Sequence, residues 1–200
     1  MLGLPKSTEL NKQLPKKTIY AKFQMNSAEK AKIDADISRI TIVNEVSAAK
    51  LNIADGEQVK SFFVLLVSLK RKDFAERTII TISKLIGQNM LLVLECDDKA
   101  KLAIYHTKLM QTEWKGKDDL SIEIKGLNMD AVWENVIVQV GGMTIDKGNT
   151  LDEQIAVDER KAKIQKEIDR LKRQTKAEKQ PKKKFELSQQ INKLRKEMEV

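Results

Sequence analysis

Cysteine is almost missing. Cys96 stands alone in 200 residues, which excludes a disulfide framework and a cysteine-built zinc finger. His106 is the single histidine, which removes most other metal clusters and leaves no metal or cofactor expected. Cys96 closes an apolar stretch and is expected to be a small buried residue instead of a nucleophile. His106 has no nucleophile or orienting group at a recognisable spacing, so it is expected to be structural. Long hydrophobic runs are lacking too: Phe62 to Val67 and Met90 to Leu94 fall far short of the roughly 20 residues of a membrane helix. The opening MLGLPKSTEL places Pro5 and charges where a secretory signal needs an apolar segment, so a cytoplasmic location is expected. There is no phosphate-binding loop, no Gly-x-Gly-x-x-Gly after a strand and no Gly-x-Ser-x-Gly elbow.

What the chain has in excess is charge. Charged residues make up 33%, the net charge is +8 and the pI is near 9.4. The excess is not uniform. Residues 1–17 carry net +3, residues 151–200 carry net +5, and the intervening 133 residues sum to zero. A neutral body with basic ends suits a folded core that meets a polyanion or an acidic partner through its extremities. At the N-terminal end the cations are Lys6, Lys12, Lys16 and Lys17.

Periodicity divides the body into alternating elements. A turn of helix is expected between the two Leu-Pro-Lys steps at Leu4 and Leu14, started by Ser7 or Thr8. Asn26 with Glu29 three residues on reads as a helix start, with Ile33, Ile37 and Ile40 on one face. One or two short strands follow between Arg39 and Ile53. Gln58 to Lys70 contains FFVLLV, too apolar for a strand with one wet face, so a central strand covered on both sides is expected. Asp73 with Glu76 predicts a capped helix that ends at Gly87. Met90–Cys96 and Lys101–His106 predict a hairpin around Asp97, Asp98 and Lys99. A strand over Ser121–Lys125 and a helix from Asn128 to Val140, stopped by Gly141-Gly142, complete an α+β body over residues 1–148, with a mixed sheet of about five strands and flanking helices.

Residues 149–200 are of another kind. From Leu151 to Lys179 there is neither Gly nor Pro, and Val157, Ile164, Ile168 and Leu171 repeat about every 3.5 residues. Pro181 interrupts, and Leu187, Ile191, Leu194 and Met198 resume two residues out of phase. An antiparallel helical hairpin, a short coiled coil folded near Pro181, satisfies both stripes; pairing with a partner's helix satisfies them equally. Lys172, Arg173, Lys176, Lys179, Lys182, Lys183 and Lys184, opposed by Glu178 alone, give +6 in thirteen residues. At the hairpin tip they would contact phosphates independently of base sequence. No aromatic lies within the cluster, so stacking on single strands is not indicated.

One pattern points to catalysis. Restriction-endonuclease-like nucleases hold magnesium with an aspartate and the glutamate of a Glu-x-Lys strand, because alternate strand residues face one side. Here Glu123 and Lys125 would supply that strand, and Asp97 or Asp98 the aspartate.

The segments LPKSTELNKQLPKK, His106-Thr107 followed by Thr112-Glu113-Trp114, GLNMDAVWENVIVQVGG and EKQPKKKFEL together resemble the bacterial domain-of-unknown-function family 4391. The resemblance runs over nearly the whole chain, and none of its motifs is a catalytic signature. It implies genes that sit beside a DNA methyltransferase and a helicase or restriction subunit resembling type III restriction-modification systems. It therefore implies an accessory component of a phage-defence or DNA-modification system. No functional residue is carried over, and Glu123-x-Lys125 is not among the shared motifs.

The leading expectation is a non-enzymatic interaction module that contacts nucleic acid, or a helicase or methyltransferase partner, through its basic ends. A metal-dependent nuclease and a structural homo-oligomer are the alternatives.

Overall fold

The structure, a computed structural model, describes residues 2–198. The chain divides into two compact units, one running to Thr144 and one starting at Ile145. The first unit is a mixed α+β body around one seven-stranded sheet. Its strands are β1 (Glu9–Gln13), β2 (Ile37–Ser47), β3 (Ser61–Leu69), β4 (Met90–Cys96), β5 (Lys99–Tyr105), β6 (Leu109–Gln111) and β7 (Lys115–Gly116). The order is β1-β2-β3-β4-β5-β6, with β7 also pairing with β5. Only β3 and β4 are parallel; the other pairs are antiparallel. The helices of this unit are α1 (Lys16–Lys22), α2 (Ser27–Asp36), α3 (Ala48–Leu51), α4 (Glu76–Ile86) and α5 (Met129–Gly141).

The apolar run lies where its composition demands, in the central strand β3. Leu65, Val67 and Leu69 join Ile37, Ile40, Leu92 and Leu94 in one buried cluster with Ile33 of α2 and Ile79 and Ile82 of α4. The alternate residues Phe62 and Val64 are fully buried on the other face. There the Phe62 ring lies 4.9 Å from that of Trp133 in α5, so both faces are covered. A register shift between Ile42 and Asn44 changes which residues of β2 face each side: Ile40 and Ile42 pair with the residues facing α2 and α4, whereas Asn44 and Val46 pair with Val64 and Phe62.

Several boundaries differ from the sequence-based expectation. Among the described residues the strand count is seven instead of about five, because β1, β6 and β7 were not expected: every residue of β1 is exposed, and β6 and β7 are only three and two residues long. β1 replaces the expected turn of helix, which is reduced to a 3-10 turn at Lys6–Thr8. Helix α2 has the expected capping box of Asn26 and Glu29 but ends at Asp36. Ile37 and Ile40, read as helical, are the first inward residues of β2, since the β-branched density beyond Asp36 favours strand. Asp73 does not cap α4. The N-cap position is Ala75, which has no capping side chain, and the service comes from Asp36, whose Oδ2 accepts from the Ala75 N–H at 3.1 Å. The α4 stop at Gly87 (φ +64) and the α5 start at Asn128, whose side chain accepts from the Ala131 N–H, are as expected.

The Ser121–Lys125 strand is also absent. Ser121 makes an isolated bridge to Leu2, and Glu123 spends its backbone on a side chain. Its N–H donates to Gln139 Oε1 at 3.0 Å and its carbonyl accepts from Gln139 Nε2 at 2.7 Å. A glutamine amide of α5 thus stands in for a neighbouring strand. The segment then turns at Gly126, whose φ is +151° and whose added Cβ would sit 2.6 Å from the Val132 nitrogen. Gly126→Ala combines a disfavoured backbone with a clash against helix backbone, so it is expected to cost more than about 2 kcal/mol, read as a lowered urea midpoint with unchanged slope.

The second unit holds α6 (Leu151–Ala177) and α7 (Pro181–Met198), which pack together. Thr150 and Glu153 form a capping box at the start of α6. Ile164, Ile168 and Leu171 of α6 meet Leu187, Ile191, Leu194 and Met198 of α7 in one cluster. Val157 is half-buried and lies outside it. With three residues between the helices, the 18 residues of α7 reach back along about 27 Å of α6, short of Val157.

Candidate nucleic-acid interface

The basic residues fall into two sets with different fates. At the N-terminal end Lys16 is committed internally: its ammonium pairs with Asp34 and donates to the Ile37 carbonyl at 2.9 Å. Asp34 also accepts from the Tyr20 hydroxyl at 2.8 Å. The bonds from Lys16 and Tyr20 hold the Asp34 carboxyl below its usual range, while burial and then Asp34 itself push the Tyr20 phenol up. Lys16 is therefore an anchor of α1 to α2. Lys6, Lys12 and Lys17 are exposed, but they stand on three different elements, the 3-10 turn, β1 and α1.

The C-terminal set converges. Lys172, Arg173 and Lys176 occupy the last two turns of α6, Lys179 the connection, and Lys182, Lys183 and Lys184 the first turn of α7; all seven are exposed. The apolar cluster holds the two helices together, so the cations at the end of α6 meet those at the start of α7 where the helices connect. Among the described residues Lys172 has one long ion pair, 3.6 Å to Asp169. Glu178, the single acid of the segment, is turned inward to the backbone: it accepts from the Lys179 and Gln180 N–H groups at 2.8 and 2.9 Å. The bond from Gln180 leads in keeping its carboxyl below the usual range. Phe185 is 65% exposed beside the cluster.

The residues proposed for nuclease chemistry are arranged otherwise. Asp97 and Asp98 form the two-residue turn between β4 and β5, with Asp97 at φ +55°. Glu123 and Lys125 pair with each other at 2.8 Å, and both side chains are more than 60% exposed. They do not lie on a strand. Among the described residues no group of three or more His, Cys, Asp or Glu is placed to hold a metal ion. Cys96 is buried, and burial followed by the neighbouring Asp97 pushes its thiol up. His106 is half-buried in the turn between β5 and β6, where its backbone N–H donates to the Lys108 carbonyl at 3.1 Å.

Sequence reasoning missed two polar centres that hold the body together. Asp36, 2% exposed, accepts from Arg71 Nη2 at 2.9 Å, from the Thr78 hydroxyl at 2.9 Å and from the Ala75 N–H. Asp130 of α5 accepts from the Glu57, Gln58 and Val59 N–H groups at 2.6, 3.1 and 2.7 Å. The bond from Val59 leads in keeping its carboxyl low. Neither has a local signature, since the partners lie more than 30 residues away in sequence. Lys101, with its ammonium 4.8 Å from the Phe74 ring centre and 5.0 Å from that of Trp114, was likewise invisible. Burial lowers its ammonium.

Fold and charge together define a mixed-sheet α+β protein with two basic C-terminal helices packed together. The chain belongs to the family described as Domain of unknown function (DUF4391), whose model matches residues 2–198. Among curated proteins and among solved structures, nothing matches it. No described helix is long and apolar enough to cross a membrane.

Proposed function

We propose that the protein is an interaction module without chemistry of its own, built as a neutral body that carries a short antiparallel coiled coil with a nucleic-acid-binding tip. The observation that carries this reading is the convergence of seven exposed cations where α6 and α7 connect, with Glu178 occupied by backbone N–H groups. Such a tip binds through phosphate contacts and counterion release. It offers few fixed donors for base edges, so binding is sequence-independent and supplies localisation instead of readout. The family resemblance supports a place in a bacterial DNA-modification or phage-defence system. There the body docks on a helicase or DNA methyltransferase while the tip holds DNA.

The test is a chain ended at Gly148. It is expected to keep one cooperative thermal transition and to lose duplex binding in an anisotropy titration at 50 mM salt. Undiminished binding by the shortened chain would move the interface to the body.

A further inference from the structure

The seven cations are not equivalent. The surface around the connection carries two separate grooves. One, about 320 Å³, is lined by Lys172, Arg173, Thr175, Lys176, Lys184 and Ile191: four cations and no carboxylate. The other, about 720 Å³, is lined by Lys179 and Lys183 together with Glu178, Glu186, Gln174 and Gln190 among others: two cations against two acids and several amides. We infer that the first groove is the phosphate seat of the tip and that it takes the backbone of a double-stranded nucleic acid, an inference that rests on the tip-binding reading above.

Three features point to this face. Lys172 and Lys176 are four residues apart and Arg173 and Lys176 three apart, so on α6 all three project to neighbouring positions. Like charges at these spacings repel and weaken a helix. The groove has no acid in its lining to relieve them, and an anion supplies the relief. The Asp169 pair to Lys172, long and exposed, is readily exchanged for a phosphate. Spacing agrees as well. Lys172 and Lys176 are about 6 Å apart along the helix axis, and successive phosphates of one strand are separated by about 3.4 Å of duplex axis, so the pair spans about two phosphates of one strand, with Arg173 and Lys184 beside them. The lining contains no aromatic ring, and Thr175 already donates its hydroxyl to the Leu171 carbonyl at 2.8 Å. The lining therefore has charge but neither an aromatic ring nor a spare neutral donor, and Phe185 beside it is a single ring instead of a row on which successive bases stack. This favours a stacked duplex, whose phosphates are at fixed spacing, over a flexible single strand.

Two double variants of the full chain remove the same charge from the two grooves: Lys172→Gln with Lys176→Gln, and Lys179→Gln with Lys183→Gln. All four side chains are exposed, and circular dichroism melts are expected to be no lower than that of the wild type. Anisotropy is read on labelled 20-bp duplex DNA, duplex RNA of the same sequence and the single DNA strand. The first pair is expected to weaken duplex binding about tenfold at 100 mM salt and to reduce the salt slope by about 2, while the second changes it less than about threefold. Duplex DNA and duplex RNA binding within about threefold of each other means recognition of the shared backbone; a larger gap assigns the seat to the tighter duplex. Equal losses from both pairs, or tighter binding of the single strand than of either duplex, overturn the groove assignment and leave the tip reading standing. No binding of any nucleic acid by the wild type overturns both.

Discussion

Asp36→Ala is expected to lower the stability of the body by about 3 kcal/mol at neutral pH. Asp36 joins three elements at once: it ends α2, caps α4 in the place of a local side chain, and holds Arg71 after β3. Alanine leaves the Ala75 N–H without its cap and the Thr78 hydroxyl, 5% exposed, without its acceptor. The buried Thr78 donor so orphaned costs about 1–3 kcal/mol, and loss of the cap at Ala75 costs about 1. Arg71, with a side chain 59% exposed, turns to water and adds little. Asp36→Asn keeps an acceptor without the charge and should lose about half as much. Urea unfolding monitored by tryptophan fluorescence reads both variants; a shift below about 0.5 kcal/mol for the alanine would mean that α4 is capped by other means.

The same residue contributes to the acid limit, together with Asp34, Glu95 and Asp130, whose carboxyls are also held low. Burial raises the Asp36 carboxyl, but the bonds from Arg71, Thr78 and the Ala75 N–H outweigh it, and the folded value lies below the ordinary one. A carboxylate lowered by folding contributes stability that is fully present above its unfolded value of about 4 and is lost as pH falls through the lowered folded value. Wild-type stability should therefore fall below about pH 4, and Asp36→Ala should show a shallower fall.

The second large effect is on binding. Changing all seven of Lys172, Arg173, Lys176, Lys179, Lys182, Lys183 and Lys184 to glutamine is expected to remove duplex affinity at 100 mM salt, a loss of more than about 100-fold. Folding should be unaffected, because none of the seven lies in the apolar cluster of α6 and α7. Removal of like-charge neighbours at three- and four-residue spacing should even raise the melting temperature slightly. Retained affinity would place the interface on Lys6, Lys12 and Lys17 or on the sheet.

How far the sequence discloses this molecule depends on whether a partner is near in sequence. The apolar run in β3, the Asn26–Glu29 capping box, the stop at Gly87 and the stripes of α6 and α7 are local, and they were legible. β1 was not, because an edge strand with both faces wet has no alternation to read. The Ser121–Lys125 segment misled because its alternation is matched by a glutamine amide instead of a strand. Lys16 read as a surface cation for want of any sign that Asp34, eighteen residues on, would claim it. The basic cluster was legible as a charge count, but its division between two grooves was not, since that depends on how the stripe of α7 sets Lys184 beside Lys172 and Lys176.

The most direct measurement of the central claim is the affinity of the full chain for a 20-bp duplex DNA of arbitrary sequence between 50 and 200 mM salt. Four phosphate contacts predict a logarithmic slope of about −3.6, a fall of roughly 150-fold over that range, and equal values for unrelated sequences. Affinity that hardly changes with salt, or that is absent at 50 mM, would contradict it.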